Sequence, residues 1–130
     1  MLIYSGSLSA ILLNDDYYKF MLAGRRIVSG ISVLDTEHLI PFKMYAWLDL
    51  KDRKARGEHV NERDLKKHKY DVFRLLQIAR RDNKIETNGI VREDIIRFME
   101  EIRMENIPFA QLFLPFEMEE ALAYLREIYR

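Results

Sequence analysis

The helical spacing of apolar residues from Asp35 onward is the feature that most constrains this fold. Leu39, Phe42, Ala46, Trp47 and Leu50 recur at three- and four-residue steps, the repeat that gathers side chains on one face of an α-helix. Asp35 or Thr36 supplies its cap. Pro41 removes one donor from the ladder, so the spacing predicts either a start near Pro41 after a short turn or a kink there. Gly57 ends this helix after the charged run LKDRKARGEH. Asn61 caps a second helix, on which Leu65, His68, Val72, Leu75, Leu76 and Ala79 form one stripe, with Arg80-Arg81 closing it favourably against the dipole. RDNKIETNG is a polar connector with room for a short extended piece at 84–86. A third helix is expected over 92–105, with Val91, Ile95, Phe98, Met99 and Ile102 aligned and Asn106-Ile107-Pro108 breaking it. Residues 109–114 read as a helical turn. Pro115 then opens a last helix that carries Met118, Ala121, Leu122, Leu125 and Ile128 on one side.

The first third differs. SLSAILL, residues 7–13, has the length and Ile/Leu content of a buried strand, and Asn14-Asp15-Asp16 supplies turn or helix-cap chemistry. A short helix over 15–22 should follow, stopped by Gly24 in the left-handed conformation. RRIVSGISVLD reads as one strand, or as two broken at Ser29-Gly30. The expected fold class is α+β, mostly α: short amino-terminal strands followed by a bundle of about four helices. With no internal repeat or low-complexity linker, one domain over 1–130 is expected, with an α+β segment at 1–34 and a helical bundle at 35–130.

Composition narrows the function. At 130 residues and 48% hydrophobic, the chain can fill one core. Its 21 Lys+Arg balance 21 Asp+Glu, so no whole-molecule field draws it to nucleic acid or membrane. The absence of cysteine excludes disulfides, thiolate metal sites and cysteine nucleophiles. His38, His59 and His68 are too scattered to form a ligand set alone. The amino terminus lacks the pattern of a signal peptide, and no nearby apolar stretch approaches the ~20 residues that span a bilayer. A cytoplasmic protein without membrane partners is the expectation.

Lys43 is the least expected residue of its helix. It lies four residues after Leu39 and three and four before Ala46 and Trp47, within the apolar stripe. An unpaired ammonium there is costly: it must lower its pKa, reach a rim, pair with a carboxylate or meet a ligand phosphate. On the next helix Lys67, Asp71 and Arg74 share one side, an arrangement that by itself reads first as a solvated ladder of i,i+4 pairs. His68, inside the stripe, reads as a core histidine. Asp15 and Asp16 are adjacent and would project oppositely from a strand, which suits a helix cap better than metal chelation. No residues are singled out as metal ligands. There is no glycine-rich phosphate loop, no GxSxG elbow and no HExxH.

Taken together, DTEHLIPFKMYAWLDLKDRKARGE and NERDLKKHKYDVFRLL resemble the carboxyl-terminal motif region of the AbiEii/AbiGii toxin-like nucleotidyltransferases. The similarity covers about residues 8 to 80 well and the later helices loosely. An element like "s-x-e-x-l-i-x-x-K-x-x-A" carries a lysine, here Lys43, and one like "K-D-x-y-D-x-x-x-L" carries an aspartate, here Asp71. Lys67 matches the basic position, and His68 stands where the family usually has aspartate. The resemblance implies a nucleotidyltransferase fold that binds a nucleoside triphosphate with magnesium. It also implies transfer of a nucleotidyl group, in some members to tRNA, by the toxin of a toxin–antitoxin pair. Lys43 and Asp71 become the implied catalytic residues, and Lys43 and Lys67 the implied nucleotide contacts. The family's glycine-serine turn and paired metal carboxylates are expected before residue 1, so neither tight nucleotide binding nor unaided catalysis is expected of this chain.

Three expectations follow. The first is a nucleotidyltransferase-like toxin portion, with a cognate antitoxin as partner. The second is a non-catalytic helical module in which Lys43 merely pairs with an acid and an exposed strand edge at SLSAILL drives homodimerisation. The third, nucleic-acid binding through Arg25, Arg26, Lys66, Lys67 and Lys69, is weakened by the zero net charge.

Overall fold

A computed structural model describes residues 14–130; the strand expected over 7–13 lies outside them. The described residues are mostly helical, with one two-stranded antiparallel sheet, the expected α+β, mostly α class. Helix α1 spans Asp15–Gly24, β1 Arg25–Val28, β2 Ile31–Leu34, α2 Thr36–Ala55, α3 Glu62–Leu76, α4 Gly89–Glu101 and α5 Met118–Ile128, with a 3-10 turn at Ile102–Met104 between the last two.

Asn14 caps α1 by accepting from the backbone N–H groups of Asp16 and Tyr17. Gly24 ends the helix, but not in the left-handed conformation expected of it: the chain runs directly into extended backbone at Arg25. Glycine is needed for space instead, because a Cβ at Gly24 would collide with Cγ and Cβ of His38. The next residues form two strands. Arg25 pairs with Leu34 and Val28 with Ile31 around Ser29-Gly30, whose φ values of 51° and 78° make the turn whose twist matches a hairpin.

Asp35 caps α2, accepting from the N–H of His38 at 2.8 Å. The helix passes through Pro41 rather than starting there, and residues around it make this possible. Proline leaves the Glu37 carbonyl without its i+4 donor, and the Tyr129 hydroxyl donates to that carbonyl at 2.5 Å. The helix ends as expected at Gly57 (φ 84°). There the N–H groups of Gly57 and Glu58 satisfy the Lys54 and Arg53 carbonyls.

Residues 37 to 44 of α2 are all buried, so this half of the helix is enclosed on every side rather than along one stripe. That sets the architecture: α3 packs most extensively against α2, and α4 and α1 also lie against it. One apolar cluster joins Tyr17 and Phe20 of α1, Ile40, Phe42, Met44, Trp47 and Leu48 of α2, Val72, Phe73 and Leu76 of α3, Ile95 and Phe98 of α4, and Leu122, Leu125 and Ile128 of α5.

Three expected boundaries move. Helix α3 stops at Leu76, so Ala79 and Arg80-Arg81 fall in the turns beyond it, where the Ala79 carbonyl accepts from the Tyr124 hydroxyl at 2.5 Å. Helix α4 starts at Gly89 and tightens to a 3-10 turn at Ile102. Helix α5 starts at Met118, three residues after Pro115, because Glu117 and Glu120 form a capping box there. The extended piece at 84–86 exists as a parallel bridge: Ile85 donates to the Ile128 carbonyl at 2.7 Å and accepts from the Arg130 N–H at 2.9 Å. Among the described residues no helix is long and apolar enough to cross a membrane.

Candidate functional site

The enclosed half of α2 ends beside the middle of α3, and there the cations and the aspartate singled out from sequence meet. Lys43 Nζ lies 3.1 Å from Asp71 Oδ2, with both side chains largely buried. Lys67, one turn before Asp71, reaches the same oxygen at 3.0 Å, and Arg74 reaches Oδ1 at 3.3 Å. Three cations therefore share one carboxylate. The ordering of the site follows from exposure: Lys43 is buried, whereas Lys67 and Arg74 keep 58% and 46% of their side chains in solvent. Burial pushes the Asp71 carboxyl up, but hydrogen bonds from Lys67 and Lys43 together with their charges outweigh it and hold the group below its ordinary range.

His68 occupies the buried side of α3 one turn from Asp71, as its place in the stripe predicts. Its Nδ1 finds no hydrogen-bond partner among the described residues, unlike a satisfied core histidine. His38, also buried, is satisfied: its Nδ1 lies 2.7 Å from Asp35 Oδ1 and its ring packs on Phe20.

The basic residues considered for nucleic acid lie on two elements, Arg25 and Arg26 on β1 and Lys66, Lys67 and Lys69 on α3. Lys69 pairs with Glu105 at 3.0 Å and Arg26 with Asp35 at 3.6 Å, on different elements. Asp15 and Asp16 sit in the first turn of α1. Asp16 also receives the N–H of Ile90 at 2.8 Å, which makes it an acceptor for the start of α4.

Three polar residues carry structural tasks that periodicity did not reveal. Glu37 is 4% exposed; its carboxylate accepts from Asn83 Nδ2 at 2.6 Å and from the Arg80 N–H at 3.4 Å, tying the turns after α3 to α2. An acid in the first turn of a helix is so ordinary that nothing marked Glu37 as buried. Tyr17 donates to Asp94 Oδ2 at 2.6 Å, and burial raises both groups above their usual values.

The site gathers three cations around one carboxylate, an excess of positive charge. It does not fit magnesium, because its single carboxylate is already shared by three cations and a magnesium ion needs free oxygen ligands. Among the described residues no group of three or more His, Asp or Glu is placed to hold a metal. No family model, curated protein or solved structure matches the chain.

Proposed function

We propose that this chain handles the phosphate portion of a nucleoside triphosphate, as the carboxyl-terminal part of a nucleotidyltransferase-type toxin would. The observation that carries this reading is the buried Lys43 ammonium, held 3.1 Å from Asp71 while Lys67 and Arg74 crowd the same carboxylate from the solvent side. A carboxylate so placed fixes the direction of the lysine, and the extra cations leave positive charge for an incoming anion. Phosphoryl transfer draws chiefly on such preset charge. In this reading Lys43 and Lys67 contact the nucleotide, Lys43 offsets charge developing on the transferred phosphate, and Asp71 holds Lys43. A cytoplasmic setting, a cognate antitoxin and a tRNA acceptor for the complete enzyme belong to the same proposal. No step is assigned to magnesium.

Calorimetric titration with a nucleoside triphosphate tests it. Wild-type protein should bind, Lys67→Ala should bind more weakly and Lys43→Ala more weakly still; no heat of binding with any of them overturns the reading. Because Lys67 is exposed, its variant reports on phosphate contact without disturbing the core.

A second reading, a helical module that self-associates, draws on the hairpin. Val28 and its cross-strand partner Ile31 are 55% and 65% exposed on one face of the hairpin, and Ile27 is 67% exposed on the other, apolar surface that a second copy could cover. Sedimentation equilibrium of wild type and Ile27→Lys separates the two readings: a dimer lost in the variant favours the module, and a monomer in both removes it.

A further inference from the structure

His68 is 7% exposed, and its Nδ1 is a buried polar atom without a partner among the described residues. Buried polar atoms are normally satisfied, and one that is not asks for an explanation. The charged groups acting on this ring are Lys43 from α2 and Lys67, Asp71 and Asp64 from α3. Burial, then Lys43 and Lys67, hold the imidazole below its ordinary pKa, while Asp71 and Asp64 pull the other way. The ring is therefore neutral at neutral pH and flanked by the two lysines assigned to phosphate.

Resting on that assignment, we infer that His68 is the proton-coupled member of the phosphate site: when phosphate oxygens settle against Lys43 and Lys67, the imidazole takes up one proton. The anion cancels part of the lysine field that keeps the ring neutral and adds negative charge beside it. Both changes favour imidazolium. The proton comes from solvent, adds to a ring nitrogen, and returns to solvent when the anion leaves; no bond in the ligand forms or breaks. Because the pKa of the ring is higher in the bound state than in the free state, affinity is greatest below the free-state pKa and falls as pH rises through the bound-state value. His68 is thus a positioning residue that makes occupancy of the site pH-dependent.

The test is a proton NMR titration of the imidazole in the full chain, assigned by comparison with His68→Gln, with and without inorganic tripolyphosphate. The free protein should titrate below about 6.5, and tripolyphosphate should move the midpoint up by at least about half a pH unit. Between the two midpoints, calorimetry in buffers of different ionisation enthalpy should register proton uptake that His68→Gln lacks. Lys67→Met, a change at an exposed side chain, should raise the free-state midpoint. Binding that leaves both the midpoint and the buffer dependence unmoved overturns the inference while the phosphate reading stands; no binding overturns both. An unchanged midpoint in Lys67→Met overturns the inference as well.

Discussion

The Tyr129 hydroxyl donates to the Glu37 carbonyl at 2.5 Å, the one carbonyl of α2 that Pro41 deprives of its helical donor. A proline in the second turn of a helix and a tyrosine near the far end of the sequence are thus one structural unit. The tyrosine is held there by Ile128 and Arg130 on either side of it, both hydrogen-bonded to Ile85.

Tyr129→Phe keeps the ring and removes only the donor, leaving a buried carbonyl unsatisfied at a cost of about 1–2 kcal/mol. In a Pro41→Ala background the backbone N–H restored at that position can serve the Glu37 carbonyl, so the same tyrosine change should cost less. Urea unfolding of the four proteins in the cycle measures the difference; equal costs in both backgrounds would mean that the hydroxyl does not compensate for the proline.

The partners of Asp71 are unequal. Removing the carboxylate with Asp71→Ala leaves Lys43 buried without its acid, which should cost about 3 kcal/mol or more. Removing the exposed Lys67 leaves the Lys43 pair in place and should cost under about 0.5 kcal/mol. Denaturant midpoints for the two variants check the ordering. A small loss for Asp71→Ala would show that Lys43 reaches solvent by another route.

Protonation should follow the same logic. The folded-state pKa of Asp71 is depressed below its ordinary 3.8, so its contribution is fully present above that value and is lost as pH falls through the depressed one. Asp71→Asn should therefore be less stable than wild type at neutral pH and should close that gap in strong acid. Asp94 runs in the opposite sense. Burial raises its pKa above 3.8, so the folded state is penalised as pH rises from 3.8 through the raised value. Asp94→Asn, which keeps an acceptor for Tyr17, should gain stability relative to wild type across that window. Thermal midpoints as a function of pH test both signs.

The helices were legible because local chemistry and tertiary packing agree on them. Asn14, Asp35 and Asn61 cap where short polar side chains should, and Gly57 and Ser29-Gly30 turn where positive φ is needed. The boundaries that moved were decided by partners distant in sequence: the core takes Pro41 inside α2 because Tyr129 is there. At the site, periodicity placed Lys43 among apolar residues and Asp71 on one side of the next helix with Lys67 and Arg74. Their approach to 3.1 Å depends on how α2 crosses α3, which no single-helix pattern contains. The distant partners of Glu37 and Asp16 were illegible for the same reason, since both look like ordinary first-turn acids and each binds an element far along the chain.

Asp16 also makes Gly89 testable. Gly89 opens α4 with φ at 56°, and a Cβ there would collide with Oδ2 of Asp16. Gly89→Ala must therefore bear the left-handed backbone and displace the carboxylate that accepts the Ile90 N–H. Backbone strain costs about 1–3 kcal/mol, and losing a cap interaction adds roughly 1 kcal/mol. Asp16→Ala removes the cap and relieves the clash together, so Gly89→Ala should cost less in that background than in wild type. Hydrogen exchange at Ile90 and Val91 locates the effect: faster exchange at the start of α4 in Gly89→Ala, with the middle of the helix protected, is the expected pattern. Uniform loss of protection along α4 would show that Gly89 matters to the packing of the whole helix rather than to its capped end.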